Sequence, residues 1–161
     1  MHDSIILLAT GGTIDDLEYD DEKNAPIRRQ SLLPTLLTQP MRVQTLMQKD
    51  SQFISDADRE KMLEAIRLTP ESKILLTHGT KTMSETARYL GQKVSDKTVV
   101  ITGCMILPSK DEGADARRHL EFALSRIASL PVGVFVLMNN TVFDWDNVRK
   151  NVEKGKFETL K

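Results

Sequence analysis

The sequence predicts an α/β fold, a single-domain parallel sheet with helices on both faces and a ligand site at the C-terminal strand ends. Three observations carry this expectation. Strand-like and helix-like stretches alternate along the chain. The strand-like stretches are continuous apolar runs, the pattern of strands buried on both faces. The runs also end in Gly, Thr or Asn while their beginnings do not, which gathers polar groups at the sheet edge where open α/β sheets bind ligands.

The elements follow in chain order. Ile5-Ile6-Leu7-Leu8-Ala9 is too short for a free-standing helix and runs into Thr10-Gly11-Gly12-Thr13, so it reads as a strand ending in a tight turn. Gly11 and Gly12 lack Cβ atoms, which lets the backbone take positive φ and approach a ligand closely. Residues 14–30 are polar, acidic at first and basic near the end, with Tyr19 as the sole aromatic. They read as a long loop or an open hairpin with few apolar anchors, one that could close over a site. Ser31–Leu37 reads as one helical turn before Pro40, and Arg42–Met47 alternates as a second strand. Ser55 and Asp58 form a capping box for a helix whose apolar face is Met62, Leu63 and Ile66 and which Pro70 stops.

Lys73-Ile74-Leu75-Leu76 is the next strand, ending in Thr77-His78-Gly79-Thr80-Lys81-Thr82. Thr82 with Glu85 predicts a second capping box, for a helix through Leu90 with Gly91 as its C′ residue. Val99-Val100-Ile101-Thr102-Gly103 repeats the strand-then-glycine pattern. The loop Pro108–Gly113 leads into a helix over Ala114–Ser129, and Val132–Met138 is a further strand that ends in Asn139-Asn140-Thr141. The tail from Asp144 is charged, with Trp145, Val148, Val152 and Phe157 as scattered apolar anchors.

Composition narrows the function. A chain of 161 residues can bury a core without disulfides or metal. A net charge of −1 provides no basic field for nucleic acid or an anionic membrane, so neither partner is expected. No apolar run approaches the ~18 residues that span a bilayer. The first strand begins almost at once, leaving no room for a signal peptide, and the single cysteine, Cys104, suits a reducing compartment, so the cytoplasm is expected. Cys104 itself reads as a small buried apolar residue.

The residues expected at the polar edge are Thr10, Thr13, Ser51, Thr77, His78, Thr80, Lys81 and Lys150. His78 fits a structural role near its strand end. Threonine hydroxyls can act as nucleophiles when a base takes their proton. A lysine desolvated beside another cation loses proton affinity and can be that base, and both Lys81 and Lys150 qualify. The glycine turns offer N–H groups to a developing oxyanion. These parts suffice for acyl transfer. With no HxxxH, no cysteine pair and no phosphate-loop spacing, neither metal nor cofactor is expected.

Ala9-Thr10-Gly11-Gly12-Thr13-Ile14 and Thr77-His78-Gly79-Thr80-Lys81-Thr82-Met83-Ser84-Glu85-Thr86-Ala87 resemble the two signature segments of the bacterial-type L-asparaginase/glutaminase family, the second of which is normally THGTDTMxETA. Val100–Met105 and Met138–Asp144 resemble the strands that follow in that family. The resemblance implies an amidohydrolase that releases ammonia from a small, asparagine-like amide through an acyl-threonine intermediate. It implies that Thr13 is the nucleophile, that Thr80 is the second catalytic threonine, and that Lys150 relays its proton. Ser51, in Asp50-Ser51, matches the serine that holds the substrate α-carboxylate, and Tyr19 falls in the loop that carries the family's tyrosine. Backbone groups near Gly12 and Thr80 would stabilise the oxyanion.

Two departures stand out. Family members usually carry a second domain, and a neighbouring subunit's copy helps close the site. Residues 1–161 are therefore expected to be a stand-alone N-terminal-type domain working as a homodimer or higher homo-oligomer. Position 81 is normally the aspartate that binds the substrate α-ammonium, and here it is Lys81, with Asp50 as an alternative acid. The inverted charge leaves a second function open: a non-catalytic small-ligand-binding or regulatory domain that kept the fold.

Overall fold

In a computed structural model, the alternation becomes a six-stranded sheet of order β4-β1-β5-β6-β7-β8. The structure describes residues 2–16, 19–20, 22, 25–26 and 31–160, with the backbone alone at 2–3, 19–20 and 25–26. The strands are β1 (His2–Gly11), β2 (Tyr19–Asp20), β3 (Ala25–Pro26), β4 (Arg42–Lys49), β5 (Glu71–Thr77), β6 (Thr98–Thr102), β7 (Gly133–Met138), β8 (Thr141–Asp144), β9 (Arg149–Asn151) and β10 (Lys156–Glu158). The helices are α1 (Leu33–Leu36), α2 (Asp56–Leu68), α3 (Met83–Gly91), α4 (Pro108–Asp111) and α5 (Ala114–Ile127).

Neighbours from β4 through β7 pair in parallel. Alternate residues of the central strands feed two apolar layers. Ile6, Leu8, Ile74 and Leu76 face Met62, Ile66, Ala87 and Leu90 of α2 and α3. Leu7, Leu75 and Val100 face Leu33 and Leu36 of α1 and Leu120, Ala123 and Ile127 of α5. That is the period-two geometry of a strand with a helix on each side. The Ser55–Asp58 capping box starts α2 as the sequence predicts, with Asp58 N–H donating to Ser55 Oγ at 3.2 Å and Ser55 N–H to Asp58 Oδ2 at 3.0 Å.

The α/β class holds with one antiparallel edge strand, and two local expectations, on Thr82 and Gly91, need correction. The sheet is mixed, because β8 runs antiparallel to β7. Asn139 and Asn140 take φ of 54° and 55°, the two left-handed residues that turn a tight hairpin, so this polar strand end makes a turn. The tail is also ordered: β9 and β10 form a second hairpin, and Val148 and Phe157 are buried in the α2–α3 layer. Thr82 precedes α3 without capping it, since its hydroxyl donates to Ser51 O at 2.7 Å. Finally, Gly91 lies inside α3 and is no left-handed C′ residue. A Cβ there would come within 2.1 Å of Trp145 Cδ2, so its job is to admit the indole.

β1 is the pivot of the topology. From it the chain moves outward to β4, then crosses over through α2 to β5 on the other side. Strand order therefore reverses at β1, and a crevice opens where the connections leaving β1 and β5 diverge.

Candidate active site

That crevice is a cleft of about 240 Å³ lined by Gly12, Thr13, Asp50, Ser51, Gly79, Thr80, Lys81, Met105 and Lys150. Each wall comes from a different strand end. Gly12 and Thr13 follow β1, Asp50 and Ser51 follow β4, and Gly79, Thr80 and Lys81 follow β5. Met105 follows β6, and Lys150 reaches in from β9.

Glycine makes this convergence possible. Gly12 has φ of 82°, and a Cβ on it would stand 2.5 Å from Gly79 Cα. A Cβ on Gly79 would stand 2.8 Å from Ser51 Oγ. The turns after β1, β5 and β4 are thus stacked at backbone contact. Gly12 N–H donates to Lys49 O at 3.0 Å and ties the first turn to β4. Thr82 N–H donates to Ser51 Oγ at 3.2 Å and ties the third turn to the second.

Thr10, Thr77 and His78 were expected at this edge but are buried beneath it. Thr10 Oγ1 donates to Thr77 O at 2.7 Å and couples β1 to β5. Burial pushes the His78 imidazole down to about 4, so it is neutral. Its Nδ1 lies 2.6 Å from Gly79 O, and since a carbonyl only accepts, Nδ1 carries the proton. Nε2 then accepts from Thr86 Oγ1 at 2.8 Å, and that hydroxyl accepts from Arg59 Nε at 2.9 Å. This buried relay from α2 through α3 holds the loop that presents Thr80. It fits the structural role read from the sequence.

The working contacts are short. Lys150 Nζ lies 2.8 Å from Thr80 Oγ1. Desolvation, followed by the nearby Lys81 cation, holds the Lys150 ammonium below the usual lysine range. Among the described residues no carboxylate lies within ion-pair distance of Lys150. Lys81 Nζ instead lies 3.4 Å from Asp50 Oδ2, with side chains 55% and 17% exposed. Asp50 is fixed by Gln52 N–H, which donates to its Oδ1 at 3.1 Å. Thr13 is half-buried and opens a short 3₁₀ turn, Thr13–Asp15.

Met105 was not singled out from the sequence, since an apolar side chain carries no chemical signal. Its position after β6, the next strand in the row, is the clue that could have found it. Met105 N–H donates to Asp115 Oδ2 at 2.7 Å, which fixes that wall. The backbone of Tyr19 lies in β2, paired with β3, while its side chain lies outside the described residues. Most of the 14–30 loop lies outside them too. Cys104 is buried, and burial drives its thiol far above the usual range, so it is inert. No described helix is long and apolar enough to cross a membrane.

Comparison with known proteins matches residues 4–159 to the family described as Asparaginase, N-terminal. The chain is 31% identical over 161 residues to L-asparaginase 2 of Escherichia coli (strain K12), an alignment covering 91% of this chain and 46% of that protein. It is 32% identical over 161 residues to a probable periplasmic L-asparaginase of Haemophilus influenzae, with the same coverages of 91% and 46%. Its fold superposes on the crystal structure of L-asparaginase I from Vibrio cholerae with a TM-score of 0.78 at 23% identity, covering 97% of this chain and 51% of that one. The chain thus spans about half the length of the curated relatives it matches.

Proposed function

Because the chain belongs to the asparaginase family, through the N-terminal part of that family, we propose that it is an amidohydrolase that frees ammonia from a small amide through an acyl-threonine intermediate. The observation that carries this reading is the Lys150–Thr80 contact at 2.8 Å, made in the same cleft as Thr13. Thr13 Oγ attacks the amide carbonyl carbon, and its proton passes through the Thr80–Lys150 pair to the leaving nitrogen. The carbon–nitrogen bond breaks and ammonia departs. Water then attacks the threonine ester, gives a proton back through the same pair, and releases the carboxylic acid. N–H groups of the turns at Gly12 and Thr80 stabilise the oxyanion in both steps.

Charge selects the substrate. Ser51 holds the carboxylate end, and Lys81 stands where the family's aspartate would meet an α-ammonium. Amides without that ammonium, such as succinamate or N-acylated compounds, are therefore preferred to asparagine, for which Asp50 is the remaining acid. The assembly is a homo-oligomer, most simply a two-fold dimer. Val152 and Leu160 are exposed in a groove beside Lys81 and Lys150, and a neighbour laid there would keep water from the cleft. The lone cysteine fits work in the cytoplasm.

The test is ammonia release across a panel of small amides. The Lys81–Asp50 pair across the cleft favours one other reading, a domain that binds such amides without turning them over. Saturable binding by calorimetry with no ammonia would select it.

A further inference from the structure

We propose that Asn139 is a positioning residue of the candidate proton relay: from the turn between β7 and β8, its side-chain carbonyl accepts the Phe157 N–H and so holds the hairpin that aims Lys150 at Thr80. The catalytic purpose rests on the amidohydrolase reading; the latch itself does not.

Lys150 belongs to β9, one strand of a two-stranded hairpin outside the main sheet. Such a hairpin is marginal in water and has to be held by what surrounds it. The Arg149–Glu158 pair at 3.4 Å and the Asn151–Glu158 hydrogen bond run between its own strands and fix nothing outside it. Phe157 is buried in the α2–α3 layer, but apolar contact is non-directional and does not stop a slide or a twist. Among the described residues, two hydrogen bonds join residues 149–158 to the rest of the fold. One is the Lys150–Thr80 contact itself. The other runs from Phe157 N–H to Asn139 Oδ1 at 2.8 Å. Phe157 stands directly opposite Lys150 in the hairpin register, so the latch closes at the residue pair from which the lysine projects. Lysine carries its amine on a flexible stem, and its aim depends on where that stem is rooted.

Asn139 is itself anchored. Its N–H donates to His119 Nε2 at 3.4 Å, and the Nδ1 of that ring donates to Asp115 O at 2.9 Å. Its carbonyl accepts from Thr141 Oγ1 at 3.1 Å. Asp115 also fixes Met105, so the start of α5 braces the Met105 wall of the cleft and, through Asn139, the Lys150 wall. The turn alone does not explain the asparagine. Glycine fits the left-handed region at least as well, and Asn140, with φ of 55°, has no side-chain hydrogen bond among the described residues. Of the two asparagines, Asn139 is the one whose amide has a partner in the Lys150 hairpin.

The test labels amines of the full chain with N-hydroxysuccinimidyl acetate, reads Lys150 and Lys154 by mass spectrometry, and follows amide exchange at Phe157 and Val136 by NMR. Asn139→Gly keeps the turn and removes the acceptor. It should raise Lys150 acetylation and Phe157 exchange ~5–10-fold, the scale of one lost hydrogen bond, and leave Lys154 and the core residue Val136 unchanged. Asn139→Asp, which keeps an acceptor at the same reach, should restore both. Asn140→Gly, an equal change in the turn, should move neither. In an active chain, Asn139→Gly should lower kcat ~10-fold or more with KM within ~twofold, because a displaced relay group slows the chemistry and not the binding. Lys150 acetylation or kcat unmoved in Asn139→Gly, an equal change in Asn140→Gly, or no recovery in Asn139→Asp would overturn the proposal. A chain that releases no ammonia from any amide, yet shows the labelling shifts, loses the amidohydrolase reading and keeps the latch. Turnover by wild type with Lys150 acetylation unmoved in Asn139→Gly does the reverse.

Discussion

Lys81→Asp should change which amide is preferred, and the size of the change can be worked from the cleft. On the proposed amidohydrolase reading, the substrate α-ammonium lies beside position 81. Two unit charges ~4 Å apart interact by ~4 kcal/mol at an effective dielectric of ~20 and by ~1 kcal/mol in water. The Lys81 side chain is 55% exposed, so the screened end of that range is nearer. We take ~2 kcal/mol of repulsion between Lys81 and an ammonium, which is a factor of ~30. An aspartate removes this and adds attraction, but it would also stand close to Asp50, and the two acids would repel. The net expectation is a rise of ~10-fold or more in the ratio of kcat/KM for asparagine to kcat/KM for succinamate, with Lys81→Met in between. The ratio is the right quantity because any loss of the Lys150 relay slows both substrates alike and cancels. Steady-state ammonia release with both amides measures it. A ratio within twofold of wild type in Lys81→Asp would refute the reasoning, whatever the absolute rates.

Other outcomes follow from the same contacts. Lys150→Met should lower kcat by ~10²–10⁴, the usual range for a lost acid–base group, and abolish the rise of kcat with pH that tracks Lys150 deprotonation; pH–rate profiles of both proteins check it. Burial raises the Asp15 carboxyl from 3.8 to about 6, so the folded state holds a proton that the unfolded state has lost over that interval. Stability should therefore fall by up to ~3 kcal/mol as pH rises through it, and urea unfolding of Asp15→Asn should flatten that dependence and gain stability at pH 7. Gly→Ala inside a helix ordinarily stabilises by up to ~1 kcal/mol, but Gly91→Ala meets the Trp145 ring and should instead cost ~1–3 kcal/mol, with the loss relieved in a Trp145→Leu background.

Much of this architecture could be read from residues alone, and the failures share a cause. β1, β5, β6 and β7 were legible because continuous apolar runs bounded by glycine or polar residues have few alternatives. The start of α2 was legible because a capping box is a local device, closed within four residues. Thr82 carries the same local signature but loses its hydroxyl to Ser51 O, 31 positions away, which no local pattern reveals. Gly91 likewise fits a helix end by local rule, yet serves a contact with Trp145. The hairpins β7–β8 and β9–β10 were missed because single anchors such as Val148 and Phe157 show no period.

The cleft was legible for a different reason. Strand-end chemistry in a parallel sheet converges whatever the loops do, so Gly12, Thr13, Ser51 and Thr80 could be grouped from order alone. Their neighbours required three dimensions. Thr10, Thr77 and His78 turned inward to hold the turns. Met105 joined through sheet order, and the Asp50–Lys81 pair joined two positions that the sequence keeps 31 residues apart.

The central claim is that Thr13 becomes acylated. Rapid mixing with a hydrolysed amide, acid quench, proteolysis and mass spectrometry of the peptide containing Thr13 measure this directly. The prediction is an acyl adduct on Thr13 that forms and decays with ammonia release. Thr13→Val should lack it, fold within ~1 kcal/mol of wild type and lose several orders of magnitude in turnover. Near wild-type ammonia release by Thr13→Val, or an adduct on any other residue, would contradict it.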